Sequence, residues 1–208
     1  MTRVKICGLT RREDVECALE VGAHALGFVF EETSPRYVFR YVTNIEELVP
    51  RVPFVTRVAV FGKLPKPLPD FLFSPLFDAI QFVEGELTGW NRMVFRVVRI
   101  DKDQVLNQDS LIAPDALVLD TYAPDQFGGT GKQMDWEVAK EFVRKTKLPV
   151  VLAGGLTPEN VRAAVEKVRP FGVDVSSGVE DLPGVKNPVK ISTFIENVRM
   201  VDMGVSGA

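Results

Sequence analysis

Two side chains at predicted strand ends, one thiol and one carboxyl, are suited to moving protons. Cys7 closes the strand-like segment 4–7, and Asp120 follows the apolar run 117–119. A thiolate can remove a proton when nearby cations lower its pKa, and a carboxylic acid placed opposite can donate one. A free cysteine is more often a small buried hydrophobe, so Cys7 by itself leaves packing and chemistry open. A carboxylate at an apolar strand end is costly without a partner, which favours a functional role for Asp120 over a structural cap.

Small residues at two later strand ends are suited to binding an anion. Gly154 and Gly155 follow one apolar run, and Ser177 and Gly178 follow the next. Backbone amides of such residues can approach a phosphate group closely, although the same glycines also serve plain tight turns. Gly129 belongs to a further glycine-rich segment that adds amide donors or a moving lid. These positions are therefore the predicted phosphate site.

Arg36 is a candidate for binding a carboxylate group. It follows Ser34 and Pro35 in the polar loop after the second predicted strand, and its planar guanidinium can pair bidentately with a carboxylate. A lone loop arginine is more often a solvated surface charge, so the residue alone does not decide. His24 is the one histidine, and no cluster of cysteine and histidine is present, so no metal site is predicted.

The elements that must position these residues alternate regularly along the chain. Predicted strands begin near residues 4, 25, 56, 79, 94, 116, 149 and 172, and helical segments lie between them. This alternation predicts a single-domain α/β fold, a (β/α)8 TIM barrel, in which the strand ends share one mouth. Helices three to five are expected to be short or irregular. A doubly wound open sheet fits less well, because no G-x-G-x-x-G motif follows the first strand.

Several helix boundaries can be predicted from capping residues. Thr10 with Glu13 forms a capping box for the first helix, and Thr43 is a plausible cap for a short helix. Thr157, followed by Pro158, is expected to open a helix that reaches about residue 168. The last helix is expected over 188–200. The barrel domain then covers residues 1–200, and 201–208 form a frayed tail.

Composition excludes several classes of protein. The chain has 208 residues, 46% of them apolar, and a formal net charge of -3, which suits one domain and disfavours nucleic-acid binding. No apolar run approaches the roughly 18 residues of a membrane span, and no signal peptide is evident. We therefore expect a cytoplasmic protein in which Cys7 and Cys17 stay reduced. Neither a monomer nor a homodimer is excluded.

Seven motifs occur in order along the chain: Lys5-Ile6-Cys7-Gly8-Leu9-Thr10, Gly27-Phe28-Val29-Phe30, Ser34-Pro35-Arg36-Tyr37, Leu119-Asp120-Thr121, Gly128-Gly129-Thr130-Gly131, Gly154-Gly155-Leu156-Thr157-Pro158-Glu159-Asn160-Val161 and Asp174-Val175-Ser176-Ser177-Gly178-Val179-Glu180. Together these motifs resemble the phosphoribosylanthranilate isomerase family of tryptophan biosynthesis. The resemblance runs from Val4 to about Val198.

The resemblance implies an Amadori rearrangement of N-(5-phosphoribosyl)anthranilate to 1-(2-carboxyphenylamino)-1-deoxyribulose 5-phosphate. It implies a small phosphorylated substrate and neither a cofactor nor a metal. By the same resemblance Asp120 is the general acid that protonates the ribose ring oxygen, and Cys7 is the general base that removes the C2 proton. Arg36 then faces the anthranilate carboxylate.

The remaining contacts implied by the resemblance concern the phosphate and the sugar. Amides around five residues hold the phosphate: Gly129, Gly154, Gly155, Ser177 and Gly178. Asp174 and Gln81 are expected to contact the sugar. Strand four departs from the family pattern Gln-Leu-His-Gly, because Val83 stands where the histidine is usual, and Arg96 stands near a usual strand-five lysine.

Two alternatives stay open. One is another barrel enzyme acting on a phosphorylated sugar, similar to indole-glycerol-phosphate synthase, which would need a catalytic lysine at a strand end that is not apparent. The other is a non-catalytic or differently specific phosphosugar-binding barrel. Retention of both Cys7 and Asp120 argues against a non-catalytic protein.

Overall fold

A computed structural model describes residues 1–101, 104–106, 113–121 and 135–204. Eight strands of the described residues pair in parallel around a closed barrel, because β4 and β5 also pair and β1 pairs with β8. The strands are β1 (Arg3–Cys7), β2 (Ala25–Val29), β3 (Thr56–Lys63), β4 (Ala79–Glu84), β5 (Met93–Asp101), β6 (Ala116–Thr121), β7 (Val150–Leu152) and β8 (Gly172–Val175). The predicted (β/α)8 barrel is confirmed.

Alternation along the strands divides the apolar residues into two layers. Inward side chains form a small apolar layer inside the barrel, which includes Val83, Val97 and Val118. Outward side chains such as Ile80 and Val98 belong to the larger core beneath the helices. Strands that are buried on both faces need continuous apolar runs, which is why these segments could be predicted from sequence.

The helical layer is uneven. The described residues contain the α-helices α1 (Arg12–Val21), α2 (Trp136–Lys145), α3 (Val161–Val168) and α4 (Pro188–Asp202). After β2 and β3 there are only the 3-10 turns Val38–Arg40, Ile45–Glu47 and Asp70–Phe73.

The connections that follow β3 and β4 lack a regular helix for different reasons. Prolines at 65, 67 and 69 prevent a regular helix start after β3, and the segment between β4 and β5 carries no helical residue. After β5, Gln104–Leu106 pairs antiparallel with it. Helices three and four are therefore as poor as predicted, and most of the fifth connection lies outside the described residues.

The predicted capping box at the first helix is wrong. α1 begins at Arg12 with Arg11 as the N-cap residue, and no side chain caps it. The Thr10 hydroxyl is buried and donates to the carbonyl of Gly184 instead. A distant carbonyl thus takes the hydrogen bond that the local pattern assigned to the helix end.

Two other caps are displaced by a few residues. Asn44, and not Thr43, caps the turn Ile45–Glu47, since its side chain accepts from the Glu46 amide. α3 begins after a turn in which the Asn160 side chain accepts from the Thr157 amide at 2.8 Å. Side-chain amides therefore hold two turns where threonine caps were expected.

The end of α4 contacts the residue before β1. α4 extends two residues beyond the predicted end, and the Asp202 carboxylate accepts from the amide and hydroxyl of Thr2 at 2.6 and 2.9 Å. Residues 205–208 lie outside the described part. None of the described helices is long and apolar enough to cross a membrane.

Candidate active site

The carboxyl ends of the strands surround a cavity of about 100 Å³. Most of the predicted site residues line it, namely Cys7, Arg36, Gln81, Asp120, Gly154, Gly155, Asp174 and Ser177. Gly178 is not among the lining residues, and Gly129 lies outside the described residues. Among the described residues, no group of three His, Cys, Asp or Glu side chains could hold a metal ion.

Cys7 points into the barrel at the end of β1 and is 7% exposed. Its strand partner is Gly27, and a Cβ atom there would lie 2.8 Å from the Cys7 sulfur and 3.1 Å from the Lys5 ammonium. The glycine therefore leaves room for both groups. Burial raises the pKa of the Cys7 thiol, while the positive charge of Lys5 opposes that rise and the negative charge of Asp174 adds to it.

Sequence reasoning misses Lys5 because this residue lies inside a predicted buried strand. Its position two residues before Cys7 places both side chains on the inner face of β1. The Lys5 ammonium donates to Asp174 Oδ2 at 2.7 Å, and both side chains are almost fully buried. Desolvation is the largest single effect and lowers the pKa of Lys5, but the charges of Asp174 and Cys7 and the hydrogen bonds to these two residues together outweigh it, so the net pKa is raised.

Asp174 has a second carboxylate oxygen that does not accept the hydrogen bond from Lys5. Its Oδ1 atom is buried and has no hydrogen-bond partner within the described structure, although the residue lines the cavity. The same is true of Gln81 Oε1 on β4. A buried acceptor without a donor is costly, so both oxygens are suited to accept from hydroxyl groups of a ligand.

Asp120 lies half-buried at the end of β6, where its Oδ1 accepts from the Thr121 amide at 2.8 Å. Burial and, to a smaller extent, the charge of Asp174 raise the pKa of Asp120 to about 6, against the effect of that amide. Arg99 and Lys5 oppose the rise. A carboxyl group with such a pKa can hold a proton close to neutral pH and is suited to donate it.

Arg99 is a second residue that sequence reasoning missed. It lies opposite Asp120 in the register of β5 and β6 and is 7% exposed. Its inward direction follows from Val97, two residues earlier, which belongs to the inner apolar layer. Arg96, in contrast, points outward, and its guanidinium lies 4.7 Å from the centre of the Phe82 ring. The arginine near the family's usual lysine position therefore lies outside the cavity.

Arg36 is not a solvated surface charge. Its Nε and Nη2 atoms donate to Glu180 Oε1 and Oε2 at 2.8 and 2.7 Å, and both side chains are buried. Lys186 donates to the same Glu180 Oε1 at 2.7 Å. Glu180 belongs to a hairpin, Glu180–Leu182 with Val185–Lys186, that follows a 3-10 turn after β8. The hairpin thus fixes Arg36 at the edge of the cavity.

The small residues serve two different purposes. Gly154 and Gly155 have φ angles of +80° and +69°, which favour glycine. A Cβ atom on Gly154 would also lie 3.0 Å from Asp120 Oδ1, so the backbone just after β7 passes directly beside the carboxyl group. Gly178 instead packs against the carbonyl of Leu156, where a Cβ atom would collide.

Comparisons with known proteins point to one family. Residues 4–197 match the family model described as N-(5'phosphoribosyl)anthranilate (PRA) isomerase. The N-(5'-phosphoribosyl)anthranilate isomerase of Trichlorobacter lovleyi is 39% identical over 205 residues, which cover 96% of this chain and 98% of that protein.

Solved structures give the same result. The crystal structure of phosphoribosyl anthranilate isomerase from Thermotoga maritima has a TM-score of 0.76 and 34% identity, covering 96% of this chain and 99% of the other. A second, in complex with reduced 1-(o-carboxyphenylamino)-1-deoxyribulose 5-phosphate, has a TM-score of 0.73 and 32% identity, with the same coverage.

Proposed function

Because the chain belongs to the N-(5'-phosphoribosyl)anthranilate isomerase family, it is an isomerase of tryptophan biosynthesis, and we propose that Cys7 and Asp120 carry its proton transfers. The observation that carries this proposal is that a thiol from β1 and a carboxyl from β6 line one cavity. A base and an acid held around one substrate allow both transfers without free hydroxide or hydronium.

Asp120 acts first as general acid. It donates its proton to the ribose ring oxygen as the ring opens, and the aminoaldose becomes a Schiff base. A pKa of about 6 keeps roughly a tenth of the carboxyl groups protonated at pH 7. The acid is therefore available near neutral pH, as an ordinary exposed aspartate would not be.

Cys7 acts second, as general base, and removes the proton from C2 of the Schiff base. The resulting enolamine then tautomerises to the ketone. The base must be a thiolate, yet burial raises the pKa of the thiol. We assign to Lys5 the stabilisation of that thiolate, because its ammonium is held beside Cys7 by Asp174.

The other residues bind the substrate. Arg36 faces the carboxylate, while amides at Gly154, Gly155 and Ser177, together with Gly129 and Gly178, hold the phosphate. Two buried oxygens without donors among the described residues, Asp174 Oδ1 and Gln81 Oε1, support their assignment to sugar hydroxyls. Phosphate binding at one end and carboxylate binding at the other would hold the opened ribose chain in register.

We also propose a domain organisation and a cellular location for the protein. We infer that residues 1–200 form one catalytic domain. A cytoplasmic location is supported by Cys7 and Cys17, which are both unpaired and suit a reducing compartment.

The roles of the acid and base can be tested by substitution. Cys7→Ser and Asp120→Asn should each lower turnover by about 10²- to 10⁴-fold while retaining the fold. The assay follows the fluorescence loss of freshly generated N-(5-phosphoribosyl)anthranilate, with circular dichroism to check folding.

Matched controls carry the same chemical changes away from the cavity. Cys17→Ser alters a thiol on α1, and Asp115→Asn alters a carboxyl at the opposite end of β6, where it accepts from the Val94 amide. Both controls should keep turnover within a few-fold of wild type. Near-normal activity of either cavity variant would refute the role given to that residue.

A further inference from the structure

The contact between Arg36 and Glu180 affects how strongly Arg36 can bind an anion. The two side chains form a bidentate pair through Nε and Nη2, at 2.8 and 2.7 Å, away from bulk water. A pair of this kind has no net charge. An arginine that is already neutralised by a buried carboxylate is a weak site for a second carboxylate.

Lys186 lies on the other side of Glu180. Its side chain is completely buried, and its nitrogen contacts Glu180 Oε1 at 2.7 Å, the Ser176 carbonyl at 3.1 Å and the Ser176 hydroxyl at 3.5 Å. An ammonium group has three N–H donors, so three acceptors around the nitrogen match the charged form of lysine. Glu180 therefore faces two cations.

The surrounding charges are balanced among themselves. Asp14 accepts two hydrogen bonds from Arg11, at 2.9 and 2.6 Å, next to the Lys186 backbone. On the outer side of the hairpin, Lys190 pairs with Asp181 at 3.0 Å. Arg36, Glu180 and Lys186 thus form a buried group with one net positive charge.

We propose that Lys186 is a charge-balancing residue that makes Arg36 an effective site for the carboxylate of the substrate. Its ammonium neutralises Glu180, so Glu180 can orient the Arg36 guanidinium without cancelling its charge. This inference rests on the proposed contact between Arg36 and the anthranilate carboxylate. Lys186 touches no substrate atom in this scheme and acts on the carboxylate through Glu180 and Arg36.

The test compares two ligands that differ by one group. The first is reduced 1-(o-carboxyphenylamino)-1-deoxyribulose 5-phosphate, and the second is the same compound without the ring carboxylate. Calorimetry gives the ratio of their dissociation constants. Lys186→Met should reduce the preference for the carboxylate ligand by about 10- to 100-fold, the effect of one charge acting over about 6–10 Å at an effective dielectric of about 20.

Two further variants separate charge from structure. Lys186→Met combined with Glu180→Gln restores one net positive charge and should recover most of the lost preference. Lys190→Met removes a lysine that contacts the Glu180 backbone carbonyl and should leave the preference unchanged. Equal weakening of both ligands by Lys186→Met would indicate a structural role and overturn the inference, as would no recovery in the double variant.

Arg36→Met distinguishes failure of the inference from failure of the proposed function. If Arg36→Met removes the preference and Lys186→Met does not, only the role of Lys186 is wrong. If Arg36→Met also leaves the preference intact, the carboxylate contact of Arg36 is wrong, and the inference falls with it.

Discussion

Replacing the proposed acid should make the protein more stable. Burial raises the pKa of Asp120 from its ordinary value of 3.8 to about 6, so the fold disfavours the ionised carboxylate that dominates above that pH. Asp120→Asn keeps the shape and the acceptor for the Thr121 amide but removes the charge. The variant should therefore lose activity and gain stability at neutral pH.

The magnitude follows from the pKa. The rise from 3.8 to about 6, at 1.36 kcal/mol per unit, corresponds to at most about 3 kcal/mol. Since the side chain is half-buried, we expect about 1–3 kcal/mol. The folded-state pKa is raised, so the contribution of Asp120 to stability is fully present below pH 3.8 and is lost as the pH rises through 6. The variant gains its advantage within that window.

Urea unfolding of both proteins between pH 3.5 and 8 measures the effect. The free energies of unfolding should coincide near pH 3.5, diverge between pH 4 and 6, and differ by a constant amount above pH 7. Asp78→Asn is a control of opposite sign, because Arg57 outweighs burial and lowers the pKa of Asp78. Asp78→Asn should be less stable than wild type at neutral pH, and the difference in the free energy of unfolding should shrink as the pH falls.

A pH-independent difference between wild type and Asp120→Asn would refute the reasoning. It would mean that the change acts through packing or hydrogen bonds and not through the ionisation of the carboxyl group. Equal stability at all pH values would mean that the fold does not disfavour the carboxylate at all.

Three other predictions concern residues in and around the cavity. A plot of log kcat/KM against pH should rise and then level off near pH 6, the pKa of Asp120. In Asp120→Asn the change of slope near pH 6 should be absent, so the residual activity should keep rising until the Cys7 thiol is ionised. Lys5→Met should raise the pKa of Cys7, which is measured as a shift to higher pH in the rate of alkylation by iodoacetamide, while Lys5→Arg should largely preserve it. Gly154→Ala should destabilise the protein by about 2 kcal/mol or more in urea unfolding and raise KM, whereas Gly89→Ala, with φ +74° but open space around it, should cost only about 1 kcal/mol.

The meeting of the principal residues could be predicted from the sequence. Cys7, Asp120 and Gly154 each end an apolar segment, and the carboxyl ends of parallel strands in a barrel share one face. Their spacing in sequence does not matter once the strands are recognised. Apolar runs buried on both faces made that recognition possible, and poor helices did not disturb it.

The partners of those residues could not be predicted in the same way. Lys5 pairs with Asp174 across 169 positions, and Arg36 pairs with Glu180 across 144. Such contacts depend on barrel closure and on the register of strands that are distant in the chain. The misplaced cap at Thr10 has the same origin, because a distant carbonyl outcompeted the local pattern.

The charges around the cavity suggest why these partners are needed. Lys5 and Asp174 form a buried ion pair near the thiol, and Lys5 lowers the pKa of Cys7 by more than the charge of Asp174 raises it. Arg36, Glu180 and Lys186 carry one net positive charge where a carboxylate is expected to bind. Asp120 accepts a hydrogen bond from the Thr121 amide in a half-buried position, where burial raises its pKa. Each proposed role therefore depends on how far a buried charge is neutralised by its neighbours, and substitutions of those neighbours should shift a pKa or a ligand preference before they disturb the barrel.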